Sequence, residues 1–232
     1  MSPLLPAALF GFIVGLRHAT DADHVVAVGA IVARERSVRG AAFIGAAWGL
    51  GHTLTLLLLG GTIVVFGLVV PRPVGLALEL CVGLMLIVLG AWNFFWRSRG
   101  KHTHSAPAAS TPETTLVPSL PRDAPRSLPR RALRPLIVGS MHGLAGSAAA
   151  ALLVVASVRD PSWGLAYLFV FGTGTMLGMT LLTTLLSVPL GLALDRFRNA
   201  ETWLRVGSGA LSVAIGAFLV YQIGFRDGLF LQ

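Results

Sequence analysis

Residues 12–28 read FIVGLRHATDADHVVAV. An apolar run is interrupted by Arg17, His18, Asp21, Asp23 and His24 and then resumes. The surrounding segment 3–33 is otherwise apolar, and one bilayer crossing takes about 20 such residues. The cluster falls near the middle of that segment. An ionisable side chain at this depth costs at least about 2.5–3.5 kcal/mol. Five of them within eight residues need a compensating partner: a bundle interior, a water-filled cavity or a bound ion. At about 100° per residue, Arg17, His18, Asp21 and His24 share one helical face, and Asp23 falls almost opposite. Either Asp23 meets a neighbouring helix or the helix breaks here. Broken helices are common at transporter ion sites, and the break is the preferred reading.

The rest of the chain places this segment in context. It has 232 residues, 54% of them hydrophobic and only 12% charged, with a mean hydropathy of +0.76. Soluble domains carry about 25% charged residues. Five further apolar segments follow: 41–70, 74–96, 135–158, 161–194 and 206–225, with Glu79 their sole Asp, Glu, Lys or Arg residue. Backbone polar groups in lipid must bond internally, so these segments are helices. The expected fold is an all-α integral membrane protein with six transmembrane helices. The net charge of +8 is read as the cationic flanks of membrane helices, not as a nucleic-acid surface. A single cysteine, Cys81, excludes an intrachain disulfide. No basic n-region precedes Arg17, so a cleavable signal peptide is a poor reading of the start.

Residues 97–134 are rich in Pro, Ser, Thr and Arg and read as a flexible basic linker. They separate a first half, 1–96, from a second, 135–232. With six spans, fourteen of the eighteen basic residues fall on one side and three on the other, Arg17 lying within a span. The positive-inside rule makes the richer side cytoplasmic, which puts residues 97–134 inside and both termini outside the cell membrane. The halves also align. Phe12, Gly15 and His18 meet Leu136, Gly139 and His142; Gly49 and Gly51 meet Gly172 and Gly174; Gly83, Gly90 and Ala91 meet Gly209, Gly216 and Ala217. Three spans per half invert the second copy. Two inverted three-helix repeats are a transporter signature, with the substrate held at their interface.

Two imidazoles and two carboxylates suit a borderline divalent cation such as nickel, cobalt or zinc. Carboxylates alone would favour magnesium or calcium. The alternative is a buried salt-bridged network without metal. Arg17 is expected to pair with Asp21 or Asp23 when the site is empty. His52, in WGLGHTLTLL, is read as completing or guiding the site. His142 is the repeat mate of His18, but Ala145 and Ser147 stand where acids would be, and structural and ligand roles are both open. His102 and His104 of the linker are read as solvated, and Glu79 as an interfacial carboxylate. Trp92, Trp96, Phe94 and Phe95 read as a cytoplasmic aromatic belt. Nothing resembles a phosphate-cradling loop with its Lys-Ser/Thr, so ATP bound to this chain does not drive transport.

RHATDADH resembles the signature of the nickel/cobalt transporter family, His-x-x-x-x-Asp-His, through His18, Asp23 and His24, with Asp21 as an extra carboxylate. LGHTLT resembles the family's second motif through Leu50, Gly51 and His52. The rest of the chain matches by span pattern, and it is similar to the short six-span branch that accompanies urease and related nickel enzymes. The resemblance implies passage of Ni²⁺ or Co²⁺ across the cytoplasmic membrane, with these histidines and aspartates essential. Exporters of the family carry a long His-rich loop; two histidines here favour uptake over efflux.

The expectation is a secondary permease rather than an enzyme, with no prosthetic group. The divalent cation is its substrate, the bilayer its surroundings and a nickel-enzyme maturation system a possible downstream partner. An intramembrane metal-dependent hydrolase is the competing class, disfavoured by the lack of His-Glu-x-x-His. Oligomeric state is not legible.

Overall fold

The structure, a computed structural model, describes residues 4–32, 35, 37–95, 128–157, 160–197 and 199–230, and side chains within 4–7, 95, 128–130 and 146–157 are left aside. Most of the expected linker, with His102 and His104, lies outside the described residues, as does Trp96. The described residues form seven helices: α1 (Leu4–His18), α2 (Ala22–Val32), α3 (Val38–Phe66), α4 (Arg72–Phe95), α5 (Leu128–Ser157), α6 (Pro161–Arg196) and α7 (Ala200–Arg226). Four of these, α3, α4, α6 and α7, are long and apolar enough to cross a membrane. Two shorter apolar helices, Ala8–His18 and Ala22–Val32, share the first segment. Among the described residues the regular structure is all helical, as the apolar segments lead one to expect. Helix α5 begins at Leu128, so the last residues assigned to the linker belong to a helix.

Local chemistry sets the helix ends. The Ser37 hydroxyl accepts from the Gly40 amide at the start of α3, and Asp160 does the same for Ser162 at the start of α6, where Pro161 occupies the first turn. The Ser162 hydroxyl donates to the same Asp160 carboxylate at 2.7 Å, and with the amide bond at 2.9 Å it holds the exposed Asp160 carboxyl below its ordinary pKa. Helix α3 ends at Gly67, whose φ of 60° is left-handed and suits glycine.

Small residues bring the helices together. Membrane helices gain little from burying apolar surface against each other, so close backbone approach and cross-helix hydrogen bonds matter more. Helix α3 packs against α5 and α6, α1 against α6, and α4 against α7. The approaches are reciprocal. Gly15 faces the Phe171 carbonyl, and Gly139 faces that of Trp48; Gly51 faces the Leu136 carbonyl, and Gly174 faces that of Phe12. Gly90 abuts Gly209, and Gly216 abuts Gly83. Each contact becomes its pair when the aligned positions of the two halves are exchanged. Hydrogen bonds reinforce the joints: Thr53 Oγ1 donates to the Gly172 carbonyl at 2.9 Å, Ser212 Oγ to Leu86 at 2.7 Å and Asn93 Nδ2 to Ala30 at 3.3 Å. Trp48, fully buried, anchors the core around α2, α3 and α5. Trp92 is partly exposed and lies under the Arg134 guanidinium at 5.2 Å, which fits an interfacial aromatic.

Candidate metal centre

The first apolar segment is broken at the polar cluster. Between α1 and α2 the amides of Thr20 and Asp21 bond back to Arg17 and His18, three residues away instead of four. The Thr20 hydroxyl also takes the Arg17 carbonyl, at 2.6 Å. Side-chain competition of this kind favours ending a helix. The Asp21 carbonyl then accepts from Val25 and starts α2. Two helix ends therefore meet at the cluster. The carbonyl end of α1 favours a cation, and the amide end of α2 favours the nearby carboxylate of Asp23.

The break changes which side chains cooperate. Asp23, far from the others on an ideal wheel, turns toward the imidazoles: its Oδ1 lies 3.3 Å from His24 Nδ1 and its Oδ2 3.6 Å from His142 Nε2. Asp21 is bound to His18, with Nδ1 to Oδ2 at 2.8 Å. A carboxylate only accepts, so His18 Nδ1 carries the proton and Nε2 keeps its lone pair. Carboxylate-supported imidazoles of this kind are what metal ligands need for orientation. Arg17 makes no ion pair with Asp21 or Asp23; the expected pairing is absent because the turn leaves Arg17 exposed while the aspartates engage histidines.

Two further histidines come from other helices. His52 on α3 is fully buried, with ring centroids 5.3 Å from His18 and 5.5 Å from His24. His142 on α5 is 2% exposed, 4.8 Å from His24. It can come this close because Gly139 rides on Trp48 and Gly143 on the His52 backbone. The Val138 carbonyl takes the His142 Nδ1 proton at 3.3 Å, so the Nε2 lone pair faces the Asp23 carboxylate. Two electron-rich acceptors then confront each other, an arrangement that a cation between them relieves.

The ligand atoms of His18, His24 and His52 lie within 4.8 Å of one another, and so do those of Asp23, His24 and His142. Both ring nitrogens of His24 and of His52, and Nε2 of His142, are buried without a hydrogen-bond partner. Each such orphan costs about 1–3 kcal/mol. Five in one place argue for a ligand that satisfies them. Ligand atoms around a tetrahedral ion at about 2.1 Å stand about 3.4 Å apart, so small side-chain movements would close either group. Asp21 stays outside both groups.

A cavity of about 370 Å³ adjoins the cluster. His18, Asp21, Asp23, His24 and His142 line it, as does Glu79 on α4. Glu79 thus shares a cavity with the cluster while staying exposed near the start of α4. Gln222, from the π-helical end of α7, also lines it and carried no sequence signal beyond being polar in an apolar run. Trp48 and Phe171 flank the rings of His142 and His18 at 5.3 and 5.4 Å, close packing that residue type alone does not disclose.

Comparisons with known proteins bear on the whole chain. Residues 25–218 match the family described as cytochrome C biogenesis protein transmembrane region. That match begins just after the RHATDADH cluster. The chain is 33% identical to the urease accessory protein UreH of Bacillus sp. (strain TB-90), over 98% of this chain and 96% of the relative. No solved structure matches it.

Proposed function

This chain belongs to the family of the cytochrome C biogenesis protein transmembrane region and is a full-length homologue of a urease accessory protein, and from that we propose a secondary permease for Ni²⁺ or Co²⁺ in the cytoplasmic membrane. The observation that carries the proposal is the set of buried, unpartnered imidazole nitrogens beside Asp23. Imidazole with carboxylate suits borderline divalent ions. A bound dication also offsets the desolvation of Asp23 in a way a neutral ligand would not. His18, Asp23, His24, His52 and His142 are the proposed ligands. Asp21 acts as the orienting partner of His18. The relative's printed name ties that protein to urease, and the resemblance to a branch that accompanies urease and related nickel enzymes favours nickel.

Six crossings in two inverted three-helix repeats form part of this reading. The reciprocal glycine contacts support it, since a two-fold exchange of the halves reproduces each of them. The domain limits 1–96, 97–134 and 135–232 belong to the same proposal, with α5 reaching back to Leu128. In the charge-based orientation, the start of α4 and the end of α7 face outward. Glu79 and Gln222 line the cavity and lie toward those ends, which supports entry of the ion from the outer side.

The test is uptake of radioactive nickel by cells expressing the chain, with unlabelled cobalt, zinc and manganese as competitors. His18→Ala and Asp23→Asn are expected to abolish uptake at unchanged membrane abundance. Normal transport by both variants would refute the site.

A further inference from the structure

The donor atoms form two overlapping sets. One is His18, His24 and His52; the other is Asp23, His24 and His142. The first is drawn from α1, α2 and α3 and is all imidazole. The second bridges α2 and α5, which belong to different halves of the chain, and adds a carboxylate. All three members of the second set line the 370 Å³ cavity; of the first set His18 and His24 line it too, and the fully buried His52 does not.

His24 belongs to both sets. A neutral imidazole has one lone pair to give, so His24 serves one set at a time. Its ring sits between the others, 5.5 Å from His52 and 4.8 Å from His142. Neither His24 nitrogen makes a hydrogen bond, and the Asp23 carboxylate 3.3 Å from Nδ1 is the contact that turning the ring gives up. Resting on the permease reading, the geometry points to two mutually exclusive stations for the divalent cation, with His24 as the ligand that passes the ion between them. The cavity station holds the ion with Asp23, His24 and His142. The buried station holds it with His18, His24 and His52. Passage exchanges one carboxylate oxygen and one imidazole for two imidazoles, while a turn of the His24 ring carries its lone pair across. The buried station, all nitrogen, selects for borderline ions more strongly than the cavity station, whose carboxylate also accepts harder ones.

The test uses the full chain purified in detergent and Ni²⁺ alone. Equilibrium dialysis gives the stoichiometry, and X-ray absorption counts the imidazoles around the metal. The wild type is expected to hold one nickel ion per chain. His52→Phe should keep one ion, with two imidazoles and oxygen donors. His142→Phe should keep one ion, with three imidazoles. His24→Phe should weaken binding by at least tenfold, and all three should stop nickel uptake. His52→Leu and His142→Leu replace any Phe variant that does not elute as a single species. Total loss of binding in both the His52 and His142 variants would overturn the two stations and leave a single-site permease standing, and two ions per wild-type chain would overturn their mutual exclusion. A wild-type protein that binds no nickel would overturn the permease reading as well.

Discussion

Asp21→Asn is expected to weaken nickel binding about tenfold without abolishing transport. Asp21 Oδ2 lies 2.8 Å from His18 Nδ1, and Asp21 joins neither group of ligand atoms. Its task is to hold the His18 proton on Nδ1 so that Nε2 keeps a lone pair. An amide in its place can offer its NH₂ instead, which favours the other tautomer and removes a donor. Losing a supporting carboxylate typically lowers metal affinity by about 10–100-fold. The Asp21 side chain is 52% exposed, so solvent screens the pair and the lower end applies. Tenfold corresponds to about 1.4 kcal/mol. Titration calorimetry of the purified chain with Ni²⁺ measures this directly. Saturable nickel uptake should show a raised half-saturation concentration at nearly unchanged maximal rate. Asp21→Glu should recover part of the loss, because it restores an acceptor. If Asp21→Asn binds nickel as tightly as the wild type, the orienting role is wrong. If it abolishes binding as completely as Asp23→Asn, Asp21 is itself a ligand.

Other consequences can be checked in parallel. Gly90→Ala places a Cβ 2.5 Å from the Gly209 carbonyl oxygen, which forces α4 from α7. Overpacking of this sort costs about 1–3 kcal/mol and should lower the thermal midpoint in detergent. Gly75→Ala, on the same helix with open space around it, should leave the midpoint unchanged or raise it. Arg17→Ala should change nickel affinity by no more than about threefold, because an exposed, unpaired charge is worth under about 1 kcal/mol. A larger gain in affinity would mean that Arg17 repels the ion in the site.

Hydropathy and charge cost are properties of short segments, so apolar helices long enough to cross a membrane were legible from the sequence, and the expense of five ionisable groups in RHATDADH marked the candidate site. The helix break was legible for a related reason: Asp23 lay on the wrong face of an unbroken wheel. Abundant Gly and Ala suited close helix packing, but which of them abut was not legible: Gly83 aligns with Gly209 and Gly90 with Gly216, whereas Gly90 packs on Gly209 and Gly216 on Gly83. What remained undecided depended on contacts between distant helices. His142 had lost its acidic neighbours in the alignment, and only the approach of α5 to α3 carries it to His24 and Asp23. Asp21 and Asp23 looked equivalent as letters. The turn between α1 and α2 separates them, giving Asp21 to His18 and Asp23 to the imidazoles of two helices. Glu79 read as interfacial because depth was inferred from position along a span, whereas the cavity beside it exists only once α4 and α7 have packed around the first segment. A donor set is a statement about directions in space, and those directions are fixed by helix packing.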